Sequence, residues 1–317
     1  MYLRIYLLGM PALGLYNFGN AVLSAAGDTK RPLYYLAFAG VVNVILNLFF
    51  VIVCHLGVAG VALASMISQF ISAFLILRAL LTGKEKYCLR LSEIRFDKRK
   101  AAGILQIGIP SAFQYSLFAF ANLFVQSSVN SFDHVLVEGN SAAANADPLV
   151  YDMMAAFYTA CSSFIAQNFG ARKKKRILQT YLICLFYSFI TSLVLGVGIY
   201  LARYPFLYLF TSDKAVVEAG ITRLSIMALS YSASAFMDAS IAASRGLGKT
   251  AIPTFVVVMG SCVFRIIWIY TIFAYFHTIQ SLYILYVFSW GITAIAENIY
   301  FFHVYRHTLT GKTESHL

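Results

Sequence analysis

Long stretches without any charged side chain constrain this chain more than any other feature of its sequence. Asp, Glu, Lys and Arg are absent from 32–77, 101–132, 177–202 and 266–296. A helix that crosses the hydrocarbon core of a bilayer needs about 20 apolar residues, so each stretch accommodates one or two crossings. Only 12% of all residues are charged, about half the share in a soluble domain. The sequence therefore predicts a polytopic membrane protein.

The apolar stretches between polar breakers predict an all-α fold with about nine membrane-spanning helices. The breakers include GDTKRP at 27–32, GARKKKR at 170–176 and GLGKTAIP at 246–253, which carry the Gly, Pro and charged residues typical of turns. The predicted spans are 5–26, 34–54, 58–80, 103–129, 147–168, 178–202, 218–244, 252–275 and 282–305.

Positive charge is distributed unevenly between alternate loops. One set of loops holds 19 of the 24 Lys and Arg residues, and these loops are 27–32, 78–102, 170–177, 245–250 and the tail from 306. Cytoplasmic loops carry the excess of basic residues, so we expect these loops and the C-terminus in the cytoplasm, and the chain in the inner (plasma) membrane. The net charge of +11 then indicates contact with lipid headgroups rather than nucleic acid.

A repeated turn indicates internal symmetry. Gly27 to Pro32 and Gly248 to Pro253 have the same spacing at an offset of 221 residues, and each opens a charge-poor helical hairpin. Spans one to three therefore look like a repeat of spans seven to nine, an arrangement common in transporters. We expect a twelve-helix, two-bundle protein whose first three helices are absent from this chain.

The predicted organisation has four parts. Residues 1–80 are the three-helix C-terminal half of the N-terminal bundle, and 81–102 are a basic cytoplasmic linker. Residues 103–305 are a six-helix C-terminal bundle, and 306–317 are a cytoplasmic tail. With nine spans and a cytoplasmic C-terminus, the first residue is expected on the outside.

Five segments carry specific combinations of small, polar and basic residues. They are LSAAGDTKRPLYY at 23–35, IGIPSAFQYS at 107–116, EGNSAAAN at 138–145, AQNFGARKKKR at 166–176 and RGLGKTAIPT at 245–254. With these segments the sequence resembles the multidrug and toxic compound extrusion (MATE) family. The resemblance implies twelve helices in two bundles around a central cleft. It also implies efflux of organic, often cationic, compounds in exchange for protons or sodium ions, without a further cofactor.

The sequence departs from the family pattern in two places. Some members carry an acidic residue within the seventh helix, whereas the run that follows Pro110 holds none. The first helix, which carries a functional acidic residue in many prokaryotic members, lies in the expected missing part. Cation coupling is therefore only partly assigned by the resemblance.

Asp238 in span seven is the candidate for cation coupling. Charge in a bilayer costs about 3 kcal/mol or more, so a carboxylate there needs a role such as binding a proton or sodium ion from a cleft. Arg245 lies seven residues further on the same helix face, so the alternative is a carboxylate near the cytoplasmic helix end that is hydrated or paired with Arg245. The repeat places Asn17 of span one at the position equivalent to Asp238, as a candidate cleft residue.

Arg265 and Glu297 are the other ionisable residues inside predicted spans. Counted from the cytoplasmic helix ends, their depths differ by about 8 Å, a distance that a long arginine covers. We therefore expect an intramembrane ion pair, with a part in proton or substrate handling as the alternative. Asp147 and Asp152, at the outer end of span five, are expected only to shape the field at the mouth.

Span four carries a stripe of amide side chains at multiples of four residues. These are Gln114, Asn122, Gln126 and Asn130. Such a stripe faces either a substrate cleft or another helix, where it makes interhelical hydrogen bonds. Both interpretations remain open for the four residues.

No motif indicates an enzyme. HExxH, GxSxG and a Walker phosphate loop are absent, and GLGKT lacks the upstream glycine of such a loop. The five cysteines lack metal-ligand spacing, so no metal site is expected. The favoured interpretation is a monomeric secondary transporter for small organic molecules.

Two alternatives to the exporter remain. One is a lipid-linked saccharide flippase, whose cleft is expected to carry several basic residues for pyrophosphate. Arg265 is the only clearly intramembrane cation, which favours the exporter. The other alternative is a truncated remnant that does not transport.

Overall fold

The computed structural model describes residues 1–82 and 88–308, and within them the regular segments are helices. Their bounds are α1 Tyr2–Leu8, α2 Met10–Ala25, α3 Lys30–Leu48, α4 Gly57–Thr82, α5 Lys98–Val129, α6 His134–Ala144, α7 Ala146–Gly170, α8 Lys174–Leu201, α9 Arg203–Tyr208, α10 Lys214–Gly246, α11 Ala251–Val257, α12 Phe264–Trp268, α13 Ala274–Phe276 and α14 Ile279–His307. A short 3₁₀ turn, Leu91–Glu93, precedes α5. The residues left out, 83–87 and 309–317, belong to the predicted linker and tail.

Wide π-helical turns continue three of these helices. Phe49–Val53 extends α3, while Val258–Val263 and Ile269–Phe273 connect α11, α12 and α13 into one rod. The rod therefore runs from Ala251 to Phe276 with two wide turns inside it. Such turns shift the residues that follow them around the helix axis.

Eight helical segments among the described residues are long and apolar enough to cross a membrane. They are Lys30–Val53, Gly57–Thr82, Lys98–Val129, His134–Gly170, Lys174–Leu201, Lys214–Gly246, Ala251–Phe276 and Ile279–His307. Each covers one of the predicted spans two to nine, although Lys30–Val53 and Lys174–Leu201 end one residue before the ends of the predicted spans 34–54 and 178–202. The predicted all-α, polytopic fold class is confirmed.

The first predicted span, 5–26, is divided into two helices. α1 ends at Leu8 and α2 begins at Met10, with Pro11 in the first turn of α2. Proline fits there because its missing N–H has no partner within the helix at that position. The 16 residues of α2 extend about 24 Å, which is less than the roughly 30 Å of a hydrocarbon core.

The chain divides into two compact units, Met1–Asp97 and Lys98–Leu317. The first unit is organised around α4, which packs against α1, α2 and α3. Its buried core includes Leu23 and Ile76, and the buried Tyr16 hydroxyl donates to the carbonyl of Pro32 at 3.0 Å. This bond ties the middle of α2 to the start of α3.

α10 is the central helix of the second unit and packs against α6, α7, α8 and α14. Of its most apolar 18 residues, 67% are buried. A buried hydrogen-bond cluster links three of these helices, because the Tyr181 hydroxyl lies 3.0 Å from the Ser240 hydroxyl and donates to Asn298 Oδ1 at 2.6 Å. The central helix α10 therefore contributes residues both to the packed core and to the buried polar contacts of this unit.

The two repeated turns have the same backbone geometry. Gly27 has φ +92° and Gly248 has φ +75°, a left-handed conformation that glycine adopts without steric cost. After the first, Asp28 N–H donates to the Leu23 carbonyl at 2.9 Å; after the second, Lys249 N–H donates to the Ser244 carbonyl at 2.9 Å. The two donors are 221 residues apart, and so are the two acceptors, which is the offset predicted between the repeats.

Candidate functional site

The unit Lys98–Leu317 contains a cavity of about 520 Å³. α5, α6, α7, α10 and α14 form its walls together with Val257 of α11 and Arg265 of α12. Aromatic rings cover part of these walls, among them Tyr151 and Trp290, which pack edge-to-face at 6.0 Å. Ligand sites for small molecules are typically cavities of about 300–1,000 Å³ with apolar walls and few polar groups. This cavity matches that description.

Three arginines and three aspartates reach the cavity wall. They are Asp147, Asp152, Arg223, Asp238, Arg245 and Arg265. Arg265 is therefore not the only cation inside the helical unit, and the argument against a flippase that relied on its being alone is wrong. That argument missed two arginines because they lie near opposite ends of the long helix α10, where apolar runs are interrupted.

Arg223 is the centre of a polar cluster at one end of the cavity. Its Nη2 pairs with Asp147 Oδ2 at 2.5 Å, and its Nη1 donates to Asn140 Oδ1 at 2.9 Å. The Tyr231 hydroxyl donates to the other oxygen of Asp147. Only 7% of Arg223 is exposed, so the cluster is largely internal, and Asp147 does more than shape the field at a mouth.

Sequence reasoning missed this cluster, although α10 carries a signal for it. Arg223, Asp238 and Arg245 are 15 and 7 residues apart, spacings that place all three on one helix face. Tyr231 lies seven residues, about two helical turns, before Asp238. A polar face with this period on an otherwise apolar helix indicates the side that meets the cavity.

Asp238 lies in the cavity wall, as expected for a residue that faces a cleft. Its carboxylate is next to the Tyr158 hydroxyl and within electrostatic range of Arg245. The hydrogen bond of the Arg245 guanidinium goes to Gln114 Oε1 instead, at 3.0 Å. Asp238 and Arg245 thus form no direct ion pair, and Gln114 is the neutral partner of the arginine.

The structure does not bring Arg265 and Glu297 together, so the expected ion pair is wrong. Arg265 Nε donates to Ser289 Oγ at 3.3 Å, and Ser289 is eight residues before Glu297, about 12 Å along the helix. The arginine side chain therefore extends away from the glutamate. Glu297 is fully buried and neither carboxylate oxygen has a hydrogen-bond partner among the described residues; its charged neighbours are Arg245 and Asp238.

The amide stripe of α5 meets the cavity along most of its length. Gln114, Asn122 and Gln126 line the cavity. Asn130 is one turn beyond it and accepts a hydrogen bond from Gln126 Nε2 at 2.9 Å. The stripe therefore faces an internal space in its first three positions.

Asn17, the repeat equivalent of Asp238, belongs to the other compact unit. It lies on α2 with an exposed side chain. Its proposed place in a cleft remains a prediction from the repeat.

A family model described as MatE matches residues 1–49 and 110–271. Relatives include a probable multidrug resistance protein, YpnP, of Bacillus subtilis, which is 34% identical over 56% of this chain and 39% of its own length. The probable multidrug resistance protein NorM of Thermotoga maritima is 23% identical over 80% of this chain and 55% of its own length. A FAD transporter of Shewanella oneidensis is 25% identical over 68% and 49%. The chain thus spans about half the length of these relatives.

Solved structures share the fold at low sequence identity. A MOP superfamily transporter from Pyrococcus furiosus superposes with a TM-score of 0.90 at 21% identity, covering 97% of this chain and 69% of that protein. A crystal structure of a MATE P26A mutant gives 0.89 at 20% identity, with the same coverage of both chains. The helical arrangement described above is therefore that of known transporters.

Proposed function

Because the chain belongs to the MATE family, we propose that it supplies the substrate cavity and a cation-coupling carboxylate of a secondary active exporter. The exporter moves small organic molecules out across the inner (plasma) membrane in exchange for H⁺ or Na⁺. The names of the relatives support organic substrates, since two are multidrug resistance proteins and one is a FAD transporter. The chain acts as a monomer in contact with lipid, its C-terminus in the cytoplasm, without a further cofactor.

The position of Asp238 is the observation that carries this proposal. A carboxylate in the wall of a cavity inside a helical membrane unit is the group that a proton or sodium ion binds during exchange. Tyr158 and Arg245 adjoin it, so a change in its charge alters the groups that a substrate meets in the same cavity. Substrate and cation then compete, because both interact with Tyr158 and Arg245.

Dye export from everted membrane vesicles tests the role of Asp238. The full chain is expressed in a strain without other exporters of the dye, and a proton or sodium gradient is applied. Asp238→Asn removes the exchangeable charge and is expected to abolish gradient-dependent export, a loss of at least about tenfold if the carboxylate is required for each cycle.

Asp152→Asn is the matched control. Asp152 lines the same cavity but has an exposed side chain, so its loss is expected to leave export within about twofold of the unmodified chain. Undiminished export by Asp238→Asn would refute the coupling assignment. Absence of export by the unmodified chain under both gradients would refute the transport proposal itself.

A lipid-linked saccharide flippase is the second candidate, because three arginines line the cavity. Arginine binds the oxygens of phosphate groups with paired hydrogen bonds. Gradient-independent transfer of a fluorescent prenyl pyrophosphate saccharide between the leaflets of proteoliposomes would favour the flippase. Gradient-dependent dye export would favour the exporter.

A further inference from the structure

Arg265 lies in the wall of the cavity with its guanidinium close to two aromatic rings. Its Cζ is 4.7 Å from the centroid of the Phe118 ring and 4.6 Å from that of Tyr286. The residue is 0% exposed. Contact of a guanidinium with aromatic rings leaves the N–H donors at its edge for further partners.

The hydrogen bonds of Arg265 leave one part of this edge open. Nη1 donates to Asn122 Oδ1 at 2.8 Å and Nε donates to Ser289 Oγ at 3.3 Å. Nη2 has no hydrogen-bond partner among the described residues. Both partners are neutral, and Asp147 is bound to Arg223 instead.

A buried charge without a countercharge is costly, since its desolvation is not compensated by an opposite charge. Elsewhere in the wall, Arg223 pairs with Asp147 and Arg245 is within electrostatic range of Asp238, while the third aspartate, Asp152, has an exposed side chain. Arg265 thus has only neutral hydrogen-bond partners among the described residues, and no carboxylate compensates its positive charge by direct contact.

Further unpartnered donors lie on the same wall. Nε of Arg223, Nε of Arg245 and Nε1 of Trp290 are buried and lack hydrogen-bond acceptors among the described residues. N–H groups of this kind donate and do not accept. A ligand group that reaches any one of them supplies an acceptor rather than a donor.

We propose that the cavity recognises an organic anion, whose carboxylate or phosphate oxygens bind Arg265 Nη2 while its apolar or aromatic body lies against the rings of the wall. This inference rests on the proposed function and names the substrate class of the same cavity. Phe118 is only half-buried, so its ring turns aside to admit the oxyanion to the guanidinium edge.

Binding of two xanthene dyes of opposite charge tests the proposal. Fluorescence polarisation of carboxyfluorescein, an anion, and rhodamine 6G, a cation, is measured with the purified full chain in detergent. The chain is expected to bind carboxyfluorescein at least about tenfold more tightly, as one charge-assisted pair provides. Arg265→Met is expected to remove this preference and not to weaken rhodamine 6G binding, since it removes a positive charge from the cavity, while Arg265→Lys retains part of the preference.

A second variant keeps Arg265 and cancels its charge. Asn122 already accepts from Nη1 and has an exposed side chain, so Asn122→Asp supplies a carboxylate without disturbing the core. It is expected to weaken carboxyfluorescein binding about tenfold and not to weaken rhodamine 6G binding. Arg203→Met is the control, because Arg203 also stacks on tyrosines, at 4.9 and 5.2 Å, but is not part of the cavity.

Competition separates the possible sources of the oxyanion. Displacement of carboxyfluorescein by benzoate indicates a carboxylate substrate, by phenyl phosphate a soluble phosphate ester, and by geranyl pyrophosphate a lipid pyrophosphate. Equal binding of both dyes, or carboxyfluorescein binding that survives both Arg265→Met and Asn122→Asp, would overturn the inference.

The same measurements distinguish this inference from the proposed function. Loss of carboxyfluorescein binding in both variants, combined with no export by the unmodified chain, supports the anion site and refutes the exporter. Gradient-dependent export of rhodamine 6G with no affinity for carboxyfluorescein supports the exporter and refutes the anion site.

Discussion

The guanidinium of Arg223 and the carboxylate of Asp147 form an ion pair that joins α10 to the start of α7, 76 residues away in the sequence. Asn140 of α6 accepts a second hydrogen bond from the same guanidinium at 2.9 Å. Three helices are thus fixed to one another at one end of the cavity by a single side chain. Their stability there depends on charge as well as on apolar packing.

Asp147→Asn is expected to lower the free energy of unfolding. It leaves the buried Arg223 charge without its countercharge, a loss of about 2 kcal/mol, less than for a fully buried pair because Asp147 is 27% exposed. Thermal unfolding in detergent, followed by tryptophan fluorescence, measures the change. Asp152→Asn is the control, and a double variant with Arg223→Met that is less stable than Asp147→Asn alone would contradict this explanation.

Tyr181→Phe is expected to destabilise the second unit through the loss of a buried hydroxyl. The hydroxyl contacts Ser240 and Asn298, and its removal leaves buried polar groups without a partner, at a cost of about 1–2 kcal/mol. Tyr187→Phe, on the same helix with 53% of the residue exposed, is expected to be neutral. Equal melting temperatures for the two variants would mean that the cluster contributes nothing to stability.

Gly196→Ala is expected to disrupt the contact between α8 and α10. A Cβ at Gly196 would overlap the carbonyl oxygen of Ala228, a backbone atom that moves only with its helix. Overpacking of this kind costs about 1–3 kcal/mol. Gly198→Ala, where a Cβ meets no atom within 4 Å, is the control in the same helix; if both variants unfold at the same temperature, the helices are not in the close contact described.

Gly248→Ala is expected to lower stability by about 1 kcal/mol, because an L-residue in the left-handed conformation is strained. Gly248→Asn is expected to lose less, since asparagine tolerates this conformation better. Gly291→Ala is the control within a helix, where a Cβ meets no atom within 4 Å. Unfolding midpoints that rank alanine above asparagine at position 248 would argue against the strained turn.

The sequence predicts the helices and the repeat because both depend on local properties. Length of an apolar run decides whether a segment crosses a bilayer, which is why spans two to nine are recovered. Gly27 and Gly248 are predictable because one backbone conformation requires the same residue twice. The break near Gly9 was missed because α1 ends within an apolar run, where no charged residue indicates a helix end.

Side-chain partners were less predictable, since they depend on how each helix is rotated about its axis. Depth alone placed Arg265 near Glu297, but the arginine extends toward Ser289, in the opposite direction along α14. Asp238 and Gln114 were candidates for an internal space, and both line the cavity. Gln114 was not expected to bind Arg245, because no sequence pattern relates α5 to α10.

The wide turns on either side of Arg265 set the direction in which its side chain points. A π-helical turn holds one residue more than an α-helical turn, so conversion of Val258–Val263 to regular α-helix would rotate everything beyond it by about 100°. Arg265 would swing from the cavity toward a neighbouring face while α12 remained a helix. In the rod Ala251–Phe276, the number of residues in one wide turn therefore decides whether the positive charge of Arg265 faces the cavity.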